Sequence, residues 1–90
     1  MYYAADRETA QRALADLRTA RLEERAATLA ALHRLRTEVA TERTDDIPRL
    51  QAWESIQRLY DTLRSAEQDD PRPLWQDAIA RTAAWRDTLR

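Results

Sequence analysis

The sequence predicts an all-α fold, and three observations carry that prediction. Glycine is absent from all 90 residues, and a Gly in a helix interior is about 1 kcal/mol worse than Ala. Lys, Asn and Phe are also missing, but their AT-rich codons make a GC-rich genome sufficient explanation, whereas Gly codons are GC-rich. Ala, Leu, Arg, Glu and Gln, all good helix formers, dominate what remains. Finally, apolar residues recur at spacings of three and four, the helical period.

Two punctuation points divide the chain, Thr44-Asp45-Asp46-Ile47-Pro48 and Asp69-Asp70-Pro71-Arg72-Pro73. In each, carboxylates able to accept from the N–H groups of a helix start precede a Pro suited to a first turn. The first helix is expected from about Asp6 to about Glu42, with no Pro or Gly to stop it, on the order of 50 Å long. The second is expected from about Pro48 to Glu67, with Leu50, Trp53, Ile56, Tyr60 and Leu63 on one face. The third is expected from about Pro73 to Leu89, with a stripe of Trp75, Ala78, Ile79, Thr82, Trp85 and Leu89. Acid-before-Arg pairs four apart (Glu8–Arg12, Glu54–Arg58, Asp77–Arg81) add modest local support. The first helix is nearly twice as long as either partner. Part of its apolar flank would stay uncovered in a monomer, and a homodimer is the expected remedy.

Length and charge exclude several classes. The whole chain, 1–90, is one domain, and one this small buries only about 60–65% of its unfolded surface. The lack of Cys removes disulfides, thiolate chemistry and Cys-ligated zinc, and fits a reducing, cytoplasmic setting. The start, Met-Tyr-Tyr-Ala-Ala-Asp, has no signal-peptide character. The longest uncharged run, near Ala26–Leu32, is far short of the ~20 residues that span a bilayer, so no membrane partner is expected. Fifteen Arg against sixteen acids give a net charge of −1, which is no footprint for nucleic acid.

Helix 1 carries the informative pattern. On a wheel, Leu14, Leu22, Leu29, Leu32 and Val39 mark the buried stripe, with Leu17 and Leu35 at its edge. Arg18, Arg21, Arg25 and Arg36 fall inside that stripe. Guanidinium groups stay charged, so burying them demands anionic or carbonyl partners. Three explanations are open: the side chains snorkel out of an apolar seam, they pair with acids such as Glu54, Asp61 or Glu67, or they line a pocket for an anionic ligand.

Other motifs are sparse. His33-Arg34-Leu35-Arg36-Thr37 is similar to the phospho-acceptor box of sensor histidine kinases, but Arg34 stands where an acid is usual and Glu38 where Pro is. His33 therefore reads as an edge histidine, and without partners at ligand spacing it is no metal site. No cofactor motif, Gly-rich phosphate loop or nucleophile triad is present. Trp53, Trp75 and Trp85 lie on apolar faces, as core residues or as interface anchors.

A long helix, a loop and two shorter helices resemble the layout of the all-α chorismate mutases. Leu22-Glu23-Glu24-Arg25 resembles that family's Glu-Arg segment in helix 1, and Arg36, eleven residues on, stands where a catalytic Lys is usual. Asp46-Ile47-Pro48-Arg49 is similar to its Asp-x-x-Arg at the start of helix 2. Leu74-Trp75-Gln76, Thr82 and Arg86 keep the spacing of its Leu-aromatic-Gln, Ser and Gln positions. The departures are Glu8 for a first-turn Arg, Leu50 for a Glu, and Arg86 for the last catalytic Gln. The resemblance implies an intertwined dimer holding a small dicarboxylate dianion. Arg25, Arg36 and Arg49 would then be catalytic, with Arg21, Asp46, Thr82 and Arg86 around the ligand. Beside it stands the reading favoured by the residues themselves: a dimeric helical module that binds a protein partner through an apolar seam or the surface of helix 1.

Overall fold

The structure is a computed structural model that describes residues 2–65 and 70–89, with side chains from Asp6 onward. It has four helices: α1 Tyr2–Thr19, α2 Arg25–Val39, α3 Ile47–Arg64 and α4 Arg72–Thr88. No strand occurs among the described residues.

The expected first helix is therefore two. The chain leaves α1 after Thr19 and re-enters helix at Arg25. The turn is held by Glu24 N–H donating to the Arg21 carbonyl at 2.9 Å. The Thr28 hydroxyl, on a side chain only 3% exposed, donates to the same oxygen at 2.8 Å. No described residue has positive φ, so the reversal needs no Gly and leaves no sequence punctuation. Folding back puts Leu17 into one core with Leu32, Leu35 and Val39. An unbroken helix of about 50 Å would have exceeded the 42 Å length of the whole molecule. The length mismatch behind the expected dimer does not arise, because the two helices, of 18 and 15 residues, match α3 and α4 in length.

The same break resolves the Arg pattern. Ala10, Ala13, Leu14 and Leu17 are the buried residues of α1, and Thr28, Leu32, Leu35 and Val39 those of α2. The true stripe is thus centred to one side of Arg18, Arg25 and Arg36, which flank it at roughly 50–90° on the wheel. Leu22, which lies in the turn, and half-buried Leu29 had drawn the wheel toward them. Arg18, Arg21 and Arg25 are exposed and Arg36 half-buried.

α3 and α4 run close to expectation. Asp46 caps α3, its carboxylate accepting from Arg49 N–H at 3.4 Å. The helix stops at Arg64, with Ser65 extended; Glu67, its expected end, lies outside the described residues, as does Asp69. α4 starts one residue early, at Arg72. The Asp70 carboxylate accepts from the Arg72 guanidinium at 3.0 Å and from its N–H at 3.1 Å. Those hydrogen bonds, the side-chain one foremost, hold its pKa below the usual carboxylate value. Of the three expected helix-face pairs, Asp77–Arg81 closes at 3.3 Å.

The helices form a ring in which α1 touches α2 and α4, and α3 touches α2 and α4. α3 and α4 share the broadest contact and α1 and α2 the narrowest. Cross-links fix the directions. Arg25 reaches Ser65 and Arg49 reaches Val39, so α2 and α3 are antiparallel. Ile56, Leu59, Ala78 and Trp85, all fully buried, fill the centre.

Arg49 ties the ring at one end. Its Nε donates to the Val39 carbonyl at 2.9 Å, and its Nη2 to the carbonyls of Glu38 and Ala40 at 3.2 and 3.3 Å. Nη1 pairs with Asp6 on α1 at 3.2 Å, and the guanidinium lies 5.1 Å from the Trp85 ring centre on α4. One side chain, 15% exposed, thus satisfies carbonyls at the C-terminus of α2 that no helical N–H can reach. Arg49→Ala is expected to cost about 3 kcal/mol, since it strands both the carbonyls and Asp6. Arg49→Lys should recover little, because an ammonium cannot reproduce the fork. Urea denaturation measures both, and a loss below ~1 kcal/mol for Arg49→Ala would show the joint to be dispensable.

Candidate functional site

The three arginines assigned to a common dianion site occupy separate stations along α3. Arg25 donates to the carbonyl of Ser65, just past the C-terminus of α3, at 3.0 Å. Arg49 sits in the first turn of the same helix, roughly 24 Å away at 1.5 Å per residue. Its Nε and both Nη groups are engaged by carbonyls and Asp6. Arg36 lies between them, its guanidinium carbon 4.5 Å from the centre of the Tyr60 ring.

The residues placed around that ligand have local roles. Arg21 pairs with Glu23 at 3.3 Å and approaches Glu24 at 3.9 Å. Asp46 is the α3 cap. Arg86 pairs with its neighbour Asp87 at 2.9 Å. Thr82 is fully buried, and its hydroxyl oxygen has no hydrogen-bond partner among the described residues. Among the described residues no group of three His, Asp or Glu side chains could hold a metal ion. No described helix is long and apolar enough to cross a membrane.

The tryptophans divide by environment. Trp85 is 0% exposed, and its indole N–H has no hydrogen-bond partner among the described residues. Trp53 is half-buried, with Nε1–H bonded to the Arg36 carbonyl at 2.9 Å. Trp75 is half-buried at the start of α4, its Nε1–H donating to the Leu17 carbonyl at 2.8 Å, across the α1–α4 seam.

Trp75 lines the first of two surface features. An open groove of about 610 Å³ runs between the α1–α2 turn and the start of α4, with Ala20, Leu22, Pro71 and Trp75 supplying its apolar surface. Its rim is charged but internally neutralised, as Arg21 pairs with Glu23 and Arg72 with Asp70. Sequence reasoning missed the groove because half of it is the unforeseen turn. Leu22 had been read as a core residue of a continuous helix.

The second feature is a basic and aromatic face between α2 and α3. Arg36 and Arg64 both lie over Tyr60, at 4.5 and 5.4 Å from its ring centre, and the His33 ring is 6.0 Å from it. Two cations beside one ring repel, weakly in water. Cation–π attraction of roughly 0.5–1 kcal/mol per exposed contact offsets this. The sequence marked Arg36 on the wheel and Tyr60 as an apolar-face residue of the second helix, while Arg64, four residues past Tyr60, carries no pattern of its own there.

Comparison with known family models, curated proteins and solved structures finds no match for this chain. Function has to be argued from these two surfaces.

The tryptophan environments make separable predictions. Trp85→Ala should cost about 3–5 kcal/mol and leave little folded chain. Trp75→Ala should cost about 1–2 kcal/mol, for the part of the ring that is buried and one hydrogen bond. Helicity followed through urea melts checks both. Equal unfolding by the two substitutions would make Trp75 a core residue rather than a surface anchor.

Proposed function

We propose that this chain is a small helical interaction module that takes an amphipathic helix of a protein partner into the groove over Trp75. The observation that carries this is the state of Trp75 itself. Its indole is fixed in place by the Leu17 carbonyl, yet it stays part-exposed on the floor of an open apolar groove. A rigid aromatic with its one polar atom already satisfied offers area at little ordering cost, which is what an interface anchor needs. The rim selects for the same kind of partner. Its charges are paired among themselves, so the groove attracts by apolar fit, and a strongly charged ligand gains nothing there. A cytoplasmic setting belongs to the proposal, since a chain without Cys needs no oxidising compartment.

A dicarboxylate enzyme of the chorismate mutase kind has less behind it. That reading asks Arg25, Arg36 and Arg49 to meet around one ligand, and in the monomer they bond or stack at different heights of α3. Turnover of chorismate by the purified chain would be the result to reinstate it.

Selection from a displayed library of amphipathic helical peptides tests the module reading. Selected peptides should carry large apolar side chains at i and i+3 or i+4. They should lose about tenfold or more in affinity to Trp75→Ala, and likewise to Leu22→Asp, with helicity kept. Peptides that bind Trp75→Ala as well as the parent would refute the groove as the site. Light scattering separates the other occupant: a chain of doubled mass that Trp75→Ala returns to monomer would assign the groove to a second copy.

A further inference from the structure

We propose that Arg36, Arg64 and Tyr60 form a binding site for a phosphate monoester, on the α2–α3 face and independent of the groove over Trp75. The first observation is charge without a counter-charge. Among the described residues Arg36 and Arg64 have no carboxylate partner, as is true also of Arg7, Arg12, Arg18, Arg25 and Arg58, but Arg36 and Arg64 are the two of these seven that stack on one ring. In a chain with more acids than bases, two guanidiniums left without carboxylates at one place are not explained by a shortage of anions.

The second observation is convergence. The two arginines come from different helices, yet both guanidinium carbons lie within 5.4 Å of a single ring centre. Arg64 reaches Tyr60 from one turn further along α3. Arg36 crosses from α2, where its backbone is fixed by the Trp53 indole on its carbonyl at 2.9 Å. Stacking on Tyr60 holds both planar forks in place before a ligand arrives, which reduces the ordering cost of binding.

The ligand class follows from the charge density. Two permanent cations held against one ring favour a ligand with two negative charges and enough acceptor oxygens to engage both forks. A phosphate monoester carries about −1.5 to −2 charges at neutral pH and three terminal oxygens. A single carboxylate matches one Arg and leaves the other uncompensated. An extended polyanion such as nucleic acid would need the positive field to continue. It does not, since Asp61 follows Tyr60 directly and the chain as a whole is slightly acidic. Tyr60 and His33 add an aromatic wall beside the cations, which suits an aryl or sugar group on the ester oxygen.

The experiment is a nuclear magnetic resonance titration of the full chain, following the Arg Nε–H and Tyr60 ring signals. Its probes are phenyl phosphate, glycerol phosphate and malonate. Saturable shifts with either phosphate at ~10 mM or below, weakened about tenfold or more by Arg64→Gln and by Arg36→Gln, are expected. Arg12→Gln, at an exposed α1 position, should leave binding unchanged and so controls for general charge. Arg64 is exposed, so its substitution keeps the test valid if Arg36→Gln unfolds. A preference for phenyl phosphate would indicate a phosphotyrosine side chain on a partner, and equal binding of the two phosphates a free small ester; either supports the site. The proposal is overturned by the absence of saturable shifts, by malonate binding as tightly as the phosphates, or by equal losses in Arg12→Gln and Arg64→Gln.

Discussion

The bundle depends on one guanidinium. The C-terminus of α2 ends in carbonyls that its own helix cannot satisfy, and the connection from Ala40 to Asp46 carries the chain past them without regular structure. Arg49 meets both problems from the first turn of α3. Its backbone N–H bonds to the Asp46 cap while its side chain reaches back to the oxygens of Glu38, Val39 and Ala40. The loop is thereby held at its two ends by one residue. The same fork takes Asp6 from α1 and lies against Trp85 from α4. A single charged side chain is normally a liability in a core this small. Here its donors are spent on carbonyls and one carboxylate, the arrangement that makes burial of a permanent charge tolerable.

That constraint sorts the arginines by place. Arg49 is structural and lies at one end of the ring. At the far end, where the α1–α2 turn meets the start of α4, the Trp75 indole on the Leu17 carbonyl crosses the seam, and the charged side chains pair locally, Arg21 with Glu23 and Arg72 with Asp70, largely exposed. Such pairs contribute little to stability, so the far end can open a groove over Trp75 at small cost. Between the two ends, Arg36 and Arg64 stack on Tyr60 instead of pairing with acids. The bundle is thus anchored at one end and has its exposed aromatic surfaces elsewhere.

Legibility in the sequence followed the size of the side chains. The α3 and α4 faces were readable because Ile56, Leu63, Trp85 and their neighbours are large and regularly spaced. The caps at Asp46 and ahead of α4 were readable because Pro and paired acids announce a helix start. The break after Thr19 was not, because a reversal that uses only ordinary φ angles asks for no special residue. Its main determinant, Thr28 on the Arg21 carbonyl, is a seven-residue contact of a kind that periodicity does not record. Ala10 and Ala13, fully buried in α1, carried too little apolar weight to pull the wheel to its true centre. At the site, Arg25 and Arg36 share a helical direction on the wheel, while the Arg49 donors are committed to carbonyls and Asp6.

The antiparallel ring has a topological consequence. Asp6, near the start of α1, and Trp85, near the end of α4, both meet Arg49, so those two helix ends lie beside each other. The α1–α2 turn lies at the opposite end and belongs to the narrowest seam. A circularly permuted chain, joined where α1 and α4 meet and cut within Ala20–Glu24, would keep every helix beside its present neighbours. Reading order would change while the Arg49 joint stayed whole, and Trp75 would be left beside newly made ends.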